Sequence, residues 1–392
     1  MINILLQFVF WVSFAAMFHS YVLFPFFLNL FSKNKKQNRV VYSPHDTELP
    51  NISIIMSVHN EEQAIEKKIN SLINTSYPKN RLSIVIGSDS STDNTNIIVE
   101  KLIYAHPEIL FYPFTKRQGK PNVINQLVKK TDTDILILTD AKVFFTEDTI
   151  FEMVKHFKNP EIAIVGANLV NNNLMENGIT FQEKAFMSRE IRMKHQEGLL
   201  WGSVIGAYGA CFAIRKQDYT FVPKNYLVDD FFITMNVLKK QKKVIYELNS
   251  VCHESVPGKL KEEFRRKVRI ATGNFQNLKT FSSMLFGPSL PIAYCFWSHK
   301  VIRWLGPFFI ILVIVSTLFL QNIEFYRIMT LGIGLILLIP FIDFLLKRLN
   351  VNLMILRFVT HFFSMNIALL VGLIKYLKGV NSNVWKPTQR NH

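Results

Sequence analysis

Cysteine is scarce in this sequence of 392 residues: Cys211, Cys252 and Cys295 are the three, far apart and without a Cys-x-x-Cys pair. That excludes a disulfide framework and a zinc ribbon, and it fits a reducing compartment. Internal repeats and low-complexity tracts are lacking, and the composition excludes a disordered or collagen-like chain. Glycine is sparse, at 16 copies against 34 phenylalanines, a ratio that suits lipid-facing helices. Acidic residues are too few to balance the basic ones: 29 against 45 leaves a formal charge of +16. A basic excess suits nucleic acid, an anionic membrane face or a phosphorylated substrate. The long apolar segments favour the last two and speak against nucleic acid. With 49% hydrophobic residues the chain is too apolar to be purely soluble and too polar to be only membrane spans. Two or three structural parts are expected.

Met1 to Phe31 is almost uncharged and long enough to cross a bilayer, which takes about 20 apolar residues, so it is expected to be one long helix. A secretory signal would carry a basic start and a shorter apolar core, and neither is present. Lys33, Lys35, Lys36 and Arg39 follow at once. The positive-inside rule then places everything after them in the cytoplasm. Three more apolar segments stand near the other end: Trp304 to Leu320, Ile328 to Leu346 and Asn352 to Ile374. Four simple spans would put Lys375, Lys378, Lys386 and Arg390 outside, against the same rule. Either the last segment is interfacial or re-entrant, or a further span lies around Leu285 to Trp297.

Between these ends, Pro50 to about Gly258 reads as α/β. Ile52 to Val58, Leu82 to Ile86 and Ile135 to Leu138 have strand length and apolar character. Glu61 to Leu72, Asn94 to Tyr104 and Asn122 to Lys130 have helical spacing, helped by polar caps and Pro121. Such alternation predicts a mainly parallel sheet covered by helices, with ligands at the carboxyl ends of the strands. The polar clusters sit at those ends. Asp89 is expected in a loop after the second strand, Asp140 at the end of the third, and Asp229 and Asp230 after a turn at Pro223 to Asn225. Carboxylates so placed suit a cap or turn, a metal that bridges phosphates, or a proton acceptor. Lys120 could meet a phosphate. Arg265, Arg266, Lys267 and Arg269 suit a diphosphate leaving group or a membrane-surface stripe.

The order of the motifs is more specific than any one of them. VHNEE (Val58 to Glu62), SDSSTDNT (Ser88 to Thr95), QGK (Gln118 to Lys120), TDAK (Thr139 to Lys142), GACFAIR (Gly209 to Arg215), VDDFF (Val228 to Phe232) and RRKVR (Arg265 to Arg269) follow one another. The series resembles the membrane-embedded, inverting family-two glycosyltransferases of GT-A fold, the group of the cellulose, chitin and hyaluronan synthases, and in particular its bacterial cellulose-synthase-like members. The resemblance runs from Ile52 to Arg303, and the late WKPT adds to it. It implies that Val58, His59, Asn60 and Glu61 hold the nucleotide base and that Asp89 contacts the uridine. It implies Lys120 near the diphosphate and Asp140 on a Mg²⁺ or Mn²⁺ ion. Asp230 would be the base with Asp229 beside it, and Gly209, Ala210, Cys211 and Phe212 the acceptor-side loop. Arg269, with Arg266 nearby, would steady the leaving UDP.

The departures from that pattern are specific too. Lys142 stands where a second metal-binding acid is usual, and His253 is a candidate supplement to the metal. Arg266 and Ile270 replace the glutamine and tryptophan of the QxxRW element, which touches acceptor handling more than donor binding. His59 replaces a common tyrosine. Lys259 to His299, with Phe264, Val268 and Phe275 at helical spacing among basic residues, reads as interfacial helices.

The resulting plan is a transmembrane helix at 1–31, a cytosolic GT-A domain at 50–258, interfacial helices at 259–300, a membrane region at 301–378 and a tail at 379–392. The implied activity is transfer from a UDP-sugar to a growing polysaccharide or other glycan at the cytoplasmic face of the inner membrane. The alternatives are transfer of one sugar to a lipid-linked acceptor and a non-catalytic subunit of an exopolysaccharide machine. Membrane lipids and export or synthase partners complete the expected company.

Overall fold

A computed structural model describes residues 1–171, 179–254, 260–287, 289–349, 351 and 353–384. The WKPT stretch, Lys386, Arg390, Asn352 and the domain boundary at Gly258 and Lys259 lie outside the described residues. Eight strands form one mixed sheet: β1 Ile52–Val58, β2 Leu82–Asp89, β3 Ile109–Phe114, β4 Ile135–Thr139, β5 Val143–Phe145, β6 Ile162–Asn171, β7 Cys211–Arg215 and β8 Lys243–Glu254. Their order is β3-β2-β1-β4-β7-β6-β8-β5. The half formed by β3, β2, β1 and β4 is parallel, whereas β7 runs antiparallel to both β4 and β6. Helices cover both faces of the parallel half, so β1 (ISIIMSV) and β4 (ILILT) are apolar almost without alternation.

The three strands expected from sequence are present, two of them longer. β2 runs to Asp89, so that carboxylate ends a strand instead of sitting in the loop after it. The helix expected from Glu61 begins at Ile65, because Glu61 to Ala64 form a turn. The helix expected from Asn122 begins at Lys120, with Pro121 in its first turn, where a missing N–H costs nothing.

Ile2–Ser32 is one helical run of 31 residues, long and apolar enough to cross a membrane, as are Glu324–Arg348 and Met354–Leu377. Leu290–Trp304 and Gly306–Phe319 meet at a bend of 63°. A helix therefore does occupy the region around Leu285 to Trp297, but it is bent against its successor. The first helix is tied to it: Ser20 Oγ donates to Ser298 O at 2.6 Å, and Arg303 Nη2 donates to Ser20 O at 3.2 Å.

The last helix resolves the charge problem at the tail. Near its start Arg357 lies 3.7 Å from Asp343. Near its end Tyr376 stacks on Phe275 of the helix Leu260–Thr280, at 6.4 Å between ring centres. A Cβ at Gly372 would lie 2.5 Å from Ala271 Cβ, so the two helices touch backbone to backbone. Residues 379–384 then return to the catalytic domain. Gly119 has φ +87°, and a Cβ there would lie 2.3 Å from Asn383 Oδ1. Residues 379–384 thus share a side with the sheet's ligand-binding edge, the side to which the positive-inside rule assigns Lys375 and Lys378.

Candidate active site

A cavity of about 970 Å³ opens at the carboxyl ends of β1, β2 and β4 and reaches the helices Ile2–Ser32 and Met354–Leu377. Val58, His59, Glu61, Asp89, Lys120 and Asp140 line one end of it. Asp89 is buried, and its two carboxylate oxygens accept the backbone N–H groups of Gln118 at 2.7 Å and Gly119 at 2.9 Å. It therefore holds the QGK loop as well as facing the cavity. His59 Nδ1 lies 2.8 Å from Asp89 O. Asn60, at φ +56°, does not line the cavity; its side chain accepts the Thr92 N–H at 2.8 Å and so binds the SDSSTDNT loop instead.

Lys120 Nζ donates to Asp140 Oδ1 at 2.5 Å and lies 3.4 Å from Gly209 O. Burial alone would lower this ammonium. The carboxylates of Asp140, Asp229 and Asp230 outweigh it and hold Lys120 above its ordinary value. Lys142, the residue that breaks the acidic pattern, lies 3.4 Å from Glu61. Its charge is thus countered by the first-strand loop. Behind Asp140 stands a lysine that the sequence reading overlooked. Lys68 is fully buried, donates to Thr139 Oγ1 at 3.1 Å and to Val143 O, and so braces both sides of the turn that carries Asp140. Burial lowers it to about 8. Its signal was positional: Lys68 falls on the apolar stripe of Ile65, Ile69 and Leu72.

Asp229 and Asp230 open the helix Asp229–Lys239. Asp230 Oδ1 accepts the Phe231 N–H at 2.8 Å. Burial and the neighbouring Asp229 nevertheless push its carboxyl up. The loop before it is held by the helix Leu260–Thr280: Arg269 Nη1 donates to Leu227 O at 2.9 Å, Gln276 Nε2 to Asn225 O at 3.0 Å and Asn277 Nδ2 to Val228 O at 3.2 Å. Arg266 makes a paired bond to buried Glu263 at 2.9 and 3.0 Å, and both arginines line the cavity with Arg265 and Lys267. Burial lowers Arg269, while Asp229 pulls it back up. Ile270 also faces the cavity, so the missing tryptophan changes its wall directly.

The structure narrows two further expectations. Gly209 and Ala210 line the cavity, but Cys211 and Phe212 belong to buried β7 and do not. His253 does not line it either; strand alternation gives that place to Glu254. Gly209 has no room for a side chain, since a Cβ would lie 2.6 Å from Asp230 Oδ2. Gly209→Ala is therefore expected to displace this carboxylate and slow transfer roughly 10²-fold, with nucleotide affinity kept. Unchanged turnover in that variant would show that the position of Asp230 does not matter.

Among the described residues, no group of three or more His, Cys, Asp or Glu could hold a metal ion. Asp140 remains as a single carboxylate. Mg²⁺ commonly takes only one or two carboxylates, with phosphate oxygens and water completing its shell, so one carboxylate fits an ion that arrives with a diphosphate.

Residues 53–220 match Glycosyl transferase family 2. Poly-beta-1,6-N-acetyl-D-glucosamine synthase of Staphylococcus aureus (strain COL) is 24% identical over 291 residues, covering 70% of this chain and 68% of that protein. The Staphylococcus epidermidis protein of the same name is 22% identical, covering 67% and 66%. A solved mannosyltransferase from Pyrobaculum calidifontis, in complex with GDP-Man and Mn²⁺, has a TM-score of 0.70 at 18% identity, covering 94% of this chain and 99% of that one. It shares the GT-A fold. With a matched segment that runs from β1 past β7 and contains Asp89 and Asp140 at the strand ends, the chain carries a Glycosyl transferase family 2 domain and is a glycosyltransferase.

Proposed function

We propose that the protein moves a sugar from a UDP-sugar to a hydroxyl of a growing polysaccharide or other glycan, with inversion, at the cytoplasmic face of a membrane. One observation carries the reading: Asp230 and the Lys120–Asp140 pair face the same cavity. Asp230 takes the proton of the acceptor hydroxyl. The acceptor oxygen bonds to the anomeric carbon as the bond from that carbon to the diphosphate breaks, and the electron pair leaves with UDP. A base whose pKa lies above the ordinary carboxylate range accepts that proton more readily. Lys120 and Arg269 meet the charge that develops on the leaving diphosphate. A divalent cation at Asp140, when bound, would add further positive charge there. Asp229 stands next to Asp230 and acts on both that carboxyl and Arg269. Asp89, with Val58, His59 and Glu61 around it, forms the nucleotide end.

The names of the relatives make UDP-N-acetylglucosamine the first donor to try. The test is release of nucleotide by the purified full chain in detergent with Mg²⁺ or Mn²⁺, offered UDP-N-acetylglucosamine, UDP-glucose and GDP-mannose in turn. Release of UDP from one uridine donor is expected. Turnover of GDP-mannose alone would overturn the uridine reading.

A further inference from the structure

Asp230 must be ionised to take a proton, and its surroundings oppose that. Burial and Asp229 push its carboxyl up, while Lys194 and Lys120 pull it back. Lys120 is already bonded to Asp140 at 2.5 Å. Arg269, which also feels the field of Asp230, donates to Leu227 O. Tyr246 of β8 is a further titratable group in that field, and burial keeps its phenol neutral.

Lys194 differs from the other cations. It lies on the helix Ile179–Trp201, is only 6% exposed and lines the same cavity as Asp230. Among the described residues it makes neither a hydrogen bond nor an ion pair. Its ammonium stands 5.5 Å from the centre of the Tyr208 ring and 5.7 Å from that of Tyr246. Tyr246 Oη accepts the Tyr208 N–H at 2.9 Å, and the next residue is Gly209, which abuts the Asp230 carboxylate. Thr234 Oγ1 accepts the Ala207 N–H at 3.0 Å and donates to Asp230 O at 2.7 Å. Residues 207–209 therefore join the place of the ammonium to that of the carboxylate.

The carboxylates on the helix of Lys194 are taken by others. Glu190 lies 2.6 Å from Arg303, 3.1 Å from Lys300 and 2.9 Å from His299, and Glu197 lies 2.6 Å from His299. Burial, and then Lys300, lower Lys194 to about 8, against Glu190, Asp230 and Glu197, so it is still charged at neutral pH. Asp230, too, is in no ion pair among the described residues. A buried ammonium and a half-buried carboxylate, each without a bonded counter-charge, share one cavity and act on each other.

We infer that Lys194 is a positioning residue for transfer: its charge, held off bonding distance, keeps the base Asp230 ionised. The separation has a use. Asp230 Oδ1 already accepts the Phe231 N–H, so Oδ2 is the oxygen left to take the acceptor's proton. A bonded cation would occupy that oxygen, whereas a charge farther off favours the ionised form and leaves it open. The inference rests on Asp230 being the base and names what keeps it ready.

Two measurements on the full chain in detergent test it. Release of UDP from UDP-N-acetylglucosamine is followed against pH. In Lys194→Met the acid limb is expected to move up by roughly one pH unit, the usual effect of one nearby charge, and the rate to recover on the alkaline side. Lys194→Arg should keep the limb of the parent. A lysine that served packing alone would lower the rate at every pH and leave the limb in place, which would overturn the inference. The second measurement needs no donor. Melting curves are taken for the parent, Lys194→Met, Asp230→Asn and the double variant. At neutral pH Asp230→Asn should raise Tm by about 2 °C more in the Lys194→Met background than in the parent, and the excess should vanish on acidification as Asp230 takes up its proton. Additive Tm changes at every pH would overturn the inference whatever the donor proves to be. Retained turnover in Asp230→Asn would instead remove the base reading, and the melting cycle would then decide alone whether Lys194 holds Asp230 ionised.

Discussion

Asp230→Asn is expected to reduce sugar transfer by roughly 10²–10⁴-fold, the contribution of a well-placed general base, while UDP affinity stays within about twofold. The base acts on the acceptor, and the nucleotide end of the cavity is built from β1, β2 and the QGK loop. The variant should also fold at least as well as the parent. Burial and Asp229 raise this carboxyl, so the protonated form is the one the folded state favours. A group whose folded pKa is raised adds stability below its unfolded value and loses it as pH rises through the folded one. Once Asp230 ionises, its charge therefore costs stability, and an uncharged amide of the same shape removes that cost. The wild type should lose activity on acidification at a higher pH than an ordinary carboxylate would allow, as Asp230 takes up its proton. Nucleotide release, calorimetric UDP affinity and a melting curve decide the matter together. Retained turnover would remove Asp230 as the base, and a lowered Tm would mean that its charge is stabilising.

Strands β1, β2 and β4 were legible because both of their faces are buried, so each reads as an almost unbroken apolar run. β3, β5, β6, β7 and β8 were not expected, since the half-exposed edge strand ILFYPF and shorter or mixed sequences such as VFF and KVIYELNSVCHE carry no clear period. Asp89, Asp140 and Asp230 were legible as acids at the ends of elements. Their partners were not. Lys68 and Lys194 are lysines inside the protein, and a lysine in a sequence reads as surface unless its place on an apolar stripe is weighed. The ion pair of Lys142 with Glu61 joins positions 81 residues apart, which no local pattern can show. The same limit explains the tail. Net charge required it on the catalytic side, but only the packing of Gly372 on Ala271 and of Asn383 on Gly119 shows how the last helix brings it there.

Asp140→Ala is expected to abolish the metal dependence of donor binding, and turnover should fall roughly 10²–10³-fold, as when a group that stabilises developing charge is lost. Asp140 is the cavity carboxylate in direct contact with Lys120, and the residue two places on is a lysine already paired with Glu61. Lys142 thus leaves no second acid at that place to stand in for Asp140. Lys120 should respond in the opposite direction. With Asp140 gone, part of the field that holds its ammonium above the ordinary value is lost, though Asp229 and Asp230 remain. Lys120 should still be charged at pH 7 and still be able to meet a diphosphate. Metal-free UDP binding should therefore survive in Asp140→Ala and weaken in Lys120→Met. Calorimetric titration of UDP into each variant, with and without Mn²⁺, separates the two roles. If Mn²⁺ strengthens UDP binding as much in Asp140→Ala as in the parent, the ion is held by other groups and Asp140 serves only to aim Lys120.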